Sequence, residues 1–212
     1  MEVSVCQPNY NLRDDYCLVM LPLVSGSMKT LISDLMVYAE KTQIVQNYRT
    51  DALVTAGVEG LTPSTFVPLT AESNKERYYG EVIDNAWFMS GSLKLSGKMT
   101  VAVYVYLDNP ANYTLTAEVN GRTATYNGSD LELSEYGNGV YVLYFDDLKA
   151  SAFDEVITFS ILQDGQVIGE QMEYSVNSYV FAAQDMLTGD MLELLKAINN
   201  YGRAAYAVAT GA

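Results

Sequence analysis

Between about Trp87 and Tyr174 apolar and polar residues alternate, hairpin dipeptides punctuate the alternation, and a helical apolar period recurs on either side. Together these predict a mostly β chain with flanking helices (α+β). The fold class is an antiparallel, immunoglobulin-like β-sandwich with a helix before it and a helix after it.

The strands follow from a period of two. Met99 to Leu107 (MTVAVYVYL) puts Val101, Val103, Val105 and Leu107 on one face and Ala102, Tyr104 and Tyr106 on the other. Tyr113–Val119 and Arg122–Tyr126 are joined by Asn120-Gly121, and Val156–Leu162 and Gln166–Tyr174 by Asp164-Gly165. Both dipeptides favour the positive φ angles of a two-residue hairpin turn. Ser92–Leu95, Ser129–Leu133 and Gly139–Phe145 complete seven or eight short strands.

The helices follow from a period of 3.6, and they repeat. Ser25–Val45 aligns without gaps on Thr188–Val208, 163 residues later, and five of 21 positions are identical: Gly26/Gly189, Met28/Met191, Leu31/Leu194, Tyr38/Tyr201 and Val45/Val208. Ordinary residue frequencies give roughly one or two identities in such a window. In the first copy Met28, Leu31, Ile32, Leu35, Met36 and Ala39 share a face, and in the second Leu194, Leu195, Ile198, Tyr201, Ala204, Ala205 and Val208 do. Ser25 and Thr188 are the small polar residues expected to cap them.

Four segments result: a hairpin and helix at 1–60, a connecting segment at 61–86, the sandwich at 87–176, and a C-terminal helix packed on the module at 177–212. In the first, VSVC and YCLVML read as strands flanking a polar loop, so that Cys6 and Cys17 either close a hairpin as a disulfide or remain two buried thiols.

Composition narrows the partners. Twelve Lys and Arg against 26 Asp and Glu give a formal charge of −14, whose field repels nucleic acid and anionic lipid. No apolar run approaches the ~20 residues of a membrane span, and no leader is expected within the sequence. The chain has no histidine, which removes Ser-His-Asp and Cys-His nucleophile systems and histidine-based metal sites. A glycosidase built on paired carboxylates stays open, although no motif singles out a pair.

Aromatic rings are the remaining chemistry. Tyr78, Tyr79 and Trp87, the single tryptophan among 17 tyrosines, are the candidate ligand-binding residues, because flat rings stack on the apolar faces of sugars. The alternative places Trp87 in the sandwich core and the tyrosines along a strand edge. Tyr104, Tyr106, Tyr126, Tyr136 and Tyr144 are candidates for solvent-facing sheet positions. No cofactor is expected, but calcium is admitted at Asp14-Asp15, at Asp108-Asn109 with Asn112, and at Asp146-Asp147, where oxygen ligands cluster without the spacing of a known calcium loop.

LISDLMVYAEKTQ, with Tyr48-Arg49-Thr50-Asp51 beyond it, and LLKAINNYGRAAY resemble a module of large dockerin-bearing or surface-displayed proteins of gut fibre-degrading Firmicutes. SGSLKLSGKMTVAVYVYLD and GNGVYVLYFDDLKASAFDEVITFSI resemble that module's earlier and later strands. The resemblance implies an extracellular, secreted or surface-attached parent of cellulosome type, a non-catalytic role, and an association with plant polysaccharide or with adhesion. The expected partners are a neutral polysaccharide or neighbouring modules of the same chain. The competing expectation is a structural spacer with no ligand.

Overall fold

The computed structural model describes residues 16–95 and 99–211. The described residues divide into two compact units: those of 71–148 with 154–179, and 16–70 with 149–153 and 180–211.

The first unit holds two antiparallel sheets. Strands β1 (Arg77–Tyr79), β9 (Gln166–Tyr174), β8 (Ile157–Gln163), β4 (Thr114–Val119) and β5 (Arg122–Asn127) form one in that spatial order; β2 (Ala86–Leu95), β3 (Met99–Leu107), β7 (Val140–Phe145) and β6 (Glu132–Leu133) form the other. The β3 face predicted to carry Val101, Val103, Val105 and Leu107 together is the buried one, and Leu115, Ala117 and Val119 of β4 are buried as well. The sheets meet through Phe159 of β8, whose ring centroid lies 6.5 Å from Phe88 of β2 and 6.4 Å from Phe145 of β7. That makes a two-layer sandwich with an aromatic centre.

Both hairpin turns form as their dipeptides predict. Asn120 and Gly121 have φ of 51° and 71°, and Asp164 and Gly165 of 51° and 77°. One strand went unread in the sequence and another was read short. β1 is three exposed residues without a period to betray it. β2 begins earlier than Ser92 because a bulge between Phe88 and Ser90 breaks the alternation.

The second unit is helical. Helix α1 spans Gly26–Val45 and α3 spans Gly189–Thr210, and they pack along each other. Helix α2, Val176–Ala183, carries the chain out of the sandwich unit. Gly202 of α3 leaves room for the ring of Phe153: a Cβ at that position would lie 2.2 Å from Phe153 Cδ2. Gly211 ends α3 in the left-handed conformation, its N–H donating to the Ala207 carbonyl.

The expected strand YCLVML is a correction. Residues 16–20 are helical and Leu21–Leu23 is a 3-10 turn, so that Cys17 and Leu21 close an apolar cluster with Ile32 and Met36 of α1. A spacing of four satisfies a helix, and the β-rich composition of the run misled. VSVC and Cys6 lie outside the described residues, and with them the disulfide alternative.

The buried face of α1 is more polar than its apolar stripe predicts. Ser33, Asp34 and Gln43 are buried, whereas Met28 is exposed. The reason is the irregular segment 46–70, whose backbone must find partners somewhere. Asp34 accepts from the Ser64 N–H and hydroxyl, each at 2.7 Å; Ser33 Oγ accepts from the Thr62 N–H at 3.0 Å; and Gln43 Oε1 accepts from the Val54 N–H at 2.9 Å. Asn200 of α3 donates to the Ser64 carbonyl at 2.8 Å, and Gln184 both donates to and accepts from the Leu69 backbone at 2.9 Å. In this unit one buried polar side chain has no such match: Asn199 is fully buried, and neither amide atom has a hydrogen-bond partner among the described residues.

Candidate functional site

Tyr78 and Tyr79 are consecutive on β1 and therefore face opposite ways. Tyr78 is opposite Met172, a buried core residue, so it lies on the inner side at the sheet edge, where its hydroxyl donates to Glu76 Oε1 at 2.7 Å. Tyr79 is opposite Gln171 on the outer side and donates to Glu173 Oε2 at 3.1 Å. Trp87 belongs to the other sheet, opposite Tyr106. The three candidates are not brought to one surface.

Trp87 instead joins a different group. Its ring stacks on Tyr106 at a centroid separation of 4.0 Å with planes 22° apart. Tyr106 and Tyr104 point outward from β3, because Val103, Val105 and Leu107 point in. Tyr104 meets Tyr136, 60% exposed in the β6–β7 connection, edge-on at 5.4 Å. On the same outer face Tyr144 is opposite Ala102, and Lys94 Nζ sits 4.3 Å from its ring centroid. Four of the five tyrosines expected on the solvent side thus share the outer face of the four-stranded sheet with Trp87. Tyr126 does not: it is opposite the buried Leu115 on β5, at the edge of the other sheet.

This face offers flat, half-exposed rings with hydroxyls between them. Tyr104 and Tyr106, two residues apart on one strand, are separated by about 7 Å. Burial first, then the neighbouring Tyr136, Tyr144 and Glu135, raises the Tyr104 hydroxyl above its ordinary 10.0, so it stays a neutral donor. Sequence alternation alone groups Tyr104 with Tyr106. Adding Trp87 required the β2–β3 register, which the bulge conceals.

Two of the three oxygen clusters fall among the described residues, and their oxygens are engaged by the protein itself. Asp108 Oδ1 accepts from the Asn109 N–H at 2.6 Å and from the Tyr113 hydroxyl at 2.9 Å, while Asn109 Oδ1 accepts from the Ala111 N–H. Asp147 pairs with Arg122 at 2.7 Å on an exposed surface. Asp14-Asp15 lies outside the described residues. Among the described residues, no three Asp, Glu, Cys or His side chains are grouped to hold a metal ion.

Tyrosines elsewhere in the unit carry a pH dependence. Burial raises Tyr174 well above 10.0, with Glu76, Tyr179 and Tyr78 adding to it, and burial with the Glu76 hydrogen bond does the same to Tyr78. Above pH 10 the unfolded chain has released these protons while the folded chain retains them. The unfolded state then binds fewer protons, and stability falls as pH rises. The thermal midpoint of the sandwich is therefore expected to decline above about pH 10, and more gently in Tyr174→Phe. Identical alkaline slopes in the two proteins would contradict this assignment.

Comparison with protein-family models, with curated proteins and with solved structures returns no match.

Proposed function

We propose that this chain is a non-catalytic module of immunoglobulin-like topology from an extracellular, cellulosome-type or surface-attached bacterial protein, and that the outer face of its four-stranded sheet binds a neutral plant polysaccharide. The observation that carries the binding reading is the gathering of Trp87, Tyr106, Tyr104 and Tyr136 on one outer face. Rings of this kind contribute large apolar area at low rotamer cost. The formal charge of −14 favours a neutral glycan over an anionic one.

The topology is supported by strand order. β2-β3-β7-β6 matches the order A-B-E-D, and β9-β8-β4-β5 matches G-F-C followed by an added C′ strand. β1 is appended beside β9. One departure is that no tryptophan lies on β4, the equivalent of strand C. The extracellular setting rests on the resemblance of the strand and helix segments to surface-displayed modules, and the lack of histidine supports a non-catalytic role.

Affinity gel electrophoresis against soluble plant polysaccharides tests the reading. Retardation is expected on at least one glycan, weakened at least about tenfold by Trp87→Ala or Tyr136→Ala and unchanged by Tyr79→Ala. Retardation insensitive to Trp87→Ala would place the ligand elsewhere. None on any glycan would leave a structural spacer, the reading that the repeated helix favours.

A further inference from the structure

Asparagine is followed by glycine three times, at Asn120-Gly121, Asn127-Gly128 and Asn138-Gly139. The pair carries a chemistry of its own. A glycine nitrogen, unhindered by any side chain, can attack the side-chain amide carbon of the asparagine before it. The new C–N bond closes a five-membered imide, the old amide C–N bond breaks, and the proton lost by the glycine nitrogen leaves with the departing nitrogen as ammonia. Water then opens the ring at either carbonyl. One opening gives aspartate, and the other gives isoaspartate, in which the main chain runs through the former side chain.

All three asparagines are exposed, so exposure does not separate them. Their glycine nitrogens do. The first turn is closed by the pairing of Val119 with Arg122, and the third by the Val140 N–H donating to the Gly137 carbonyl at 2.9 Å. In both, the asparagine and glycine stand at the tip with positive φ, 51° and 71° in one and 50° and 81° in the other, and neither glycine is the donor that closes its turn. Gly128 is held differently. It is buried, its N–H donates to the Tyr113 carbonyl at 2.9 Å, and an added Cβ would stand 2.2 Å from the Pro110 carbonyl oxygen. The Asn127 amide nitrogen, which would be the leaving group, donates to Asp130 Oδ2 at 2.9 Å. Ring closure there requires the loop to open first, at a free-energy cost that a turn tip does not carry.

We propose that Asn120 and Asn138 are sites of spontaneous conversion to aspartate and isoaspartate, that the fold shields Asn127, and that conversion at Asn138 alters the aromatic outer face of the four-stranded sheet. Asn138 lies in the β6–β7 connection, two residues after Tyr136. The next residue, Gly139, abuts Tyr106, because a Cβ there would be 3.0 Å from Tyr106 Cε2, and Tyr106 in turn stacks on Trp87. Isoaspartate lengthens the main chain by one methylene and adds a negative charge, so the turn loses the geometry that seats Gly139 against the ring. The modification is independent of what the face binds.

The test incubates the folded full chain in mildly alkaline buffer and follows the peptide carrying each pair by mass spectrometry. Asn120 and Asn138 are expected to convert at least about tenfold faster than Asn127, and the three rates to draw together when the chain is unfolded in urea. Equal rates in the folded chain, or a gap that persists in urea, would overturn the shielding. If Asn138 converts only in urea, it is not a site of the folded protein. Trp87 is the single tryptophan, so its emission reports on the face. That emission is expected to shift in step with conversion at Asn138 and to hold steady in Asn138→Gly, which suits the positive φ and removes the reaction at that turn while Asn120 still converts. Equal drift in the two chains, or none in either, would refute the effect on the face.

Discussion

Phe159→Ala is expected to destabilise the sandwich unit by about 3–5 kcal/mol, the range for emptying an aromatic site in a packed core. The side chain is fully buried and is the point at which the two sheets touch, tilted against Phe88 and edge-on to Phe145. Its loss removes both ring contacts and leaves a void that strands from two layers cannot collapse to fill. For a unit of this size the midpoint should drop by on the order of 15 °C. Phe159→Leu keeps much of the volume and should cost less than half as much. Calorimetry separates the cases; a loss under about 1 kcal/mol in Phe159→Ala would mean that the sheets do not meet through this ring.

The second large effect is expected at Gly202, where two opposing terms can be weighed. Glycine inside a helix costs about 1 kcal/mol relative to alanine, so Gly202→Ala gains that much in helix propensity. The new Cβ, however, would stand 2.2–2.5 Å from three carbon atoms of the Phe153 ring, which is itself buried. Forcing apart a packed contact of this kind costs about 1–3 kcal/mol, and more for a branched residue. The clash wins: Gly202→Ala should be destabilising on balance, and Gly202→Val by about 3 kcal/mol. The diagnostic is non-additivity. In Phe153→Ala the same glycine substitution should turn neutral or stabilising, because the ring that opposed it is gone. If Gly202→Ala costs the same in both backgrounds, ring contact is not why glycine stands there.

Much of the sandwich was legible because its residues obey two local rules. Alternation in MTVAVYVYL gave β3 both its faces, and Asn120-Gly121 and Asp164-Gly165 gave two hairpins. Helices α1 and α3 were legible from apolar period, and their kinship from the aligned repeat, although the hydroxyls of Ser25 and Thr188, expected to cap them, make no capping hydrogen bond. Failures came where a signal is non-local or overridden. YCLVML has strand-like composition but folds helically because Cys17 and Leu21 reach a cluster with Ile32 and Met36. β1 exists only by pairing with β9, and three residues cannot announce a partner more than ninety positions away. For the candidate site, the choice of Trp87 placed one ring on the outer face, while Tyr78 and Tyr79 sit on a strand of the other sheet and look opposite ways. Contiguity in sequence was a poor guide there. Cross-strand register put Trp87 beside Tyr106 and Tyr104 instead.

The segment between α1 and the sandwich borrows its shape. Its main chain is grasped at Thr62, Ser64, Val54 and Leu69 by Ser33, Asp34, Gln43, Asn200 and Gln184, side chains that belong to helical stretches or their ends. A main-chain amide or carbonyl is common to almost every amino acid, so at Thr62 and Leu69 the hydrogen bond does not depend on which residue stands there, whereas Ser64 also donates its hydroxyl to Asp34 and Val54 packs against the apolar cluster. The constraint falls on the grasping side chains, which have no substitutes of matching reach and polarity. The path of the loop is thus written in a few buried and half-buried polar side chains of the helical unit, most of them far from it in sequence, and only in small part in the loop's own residues.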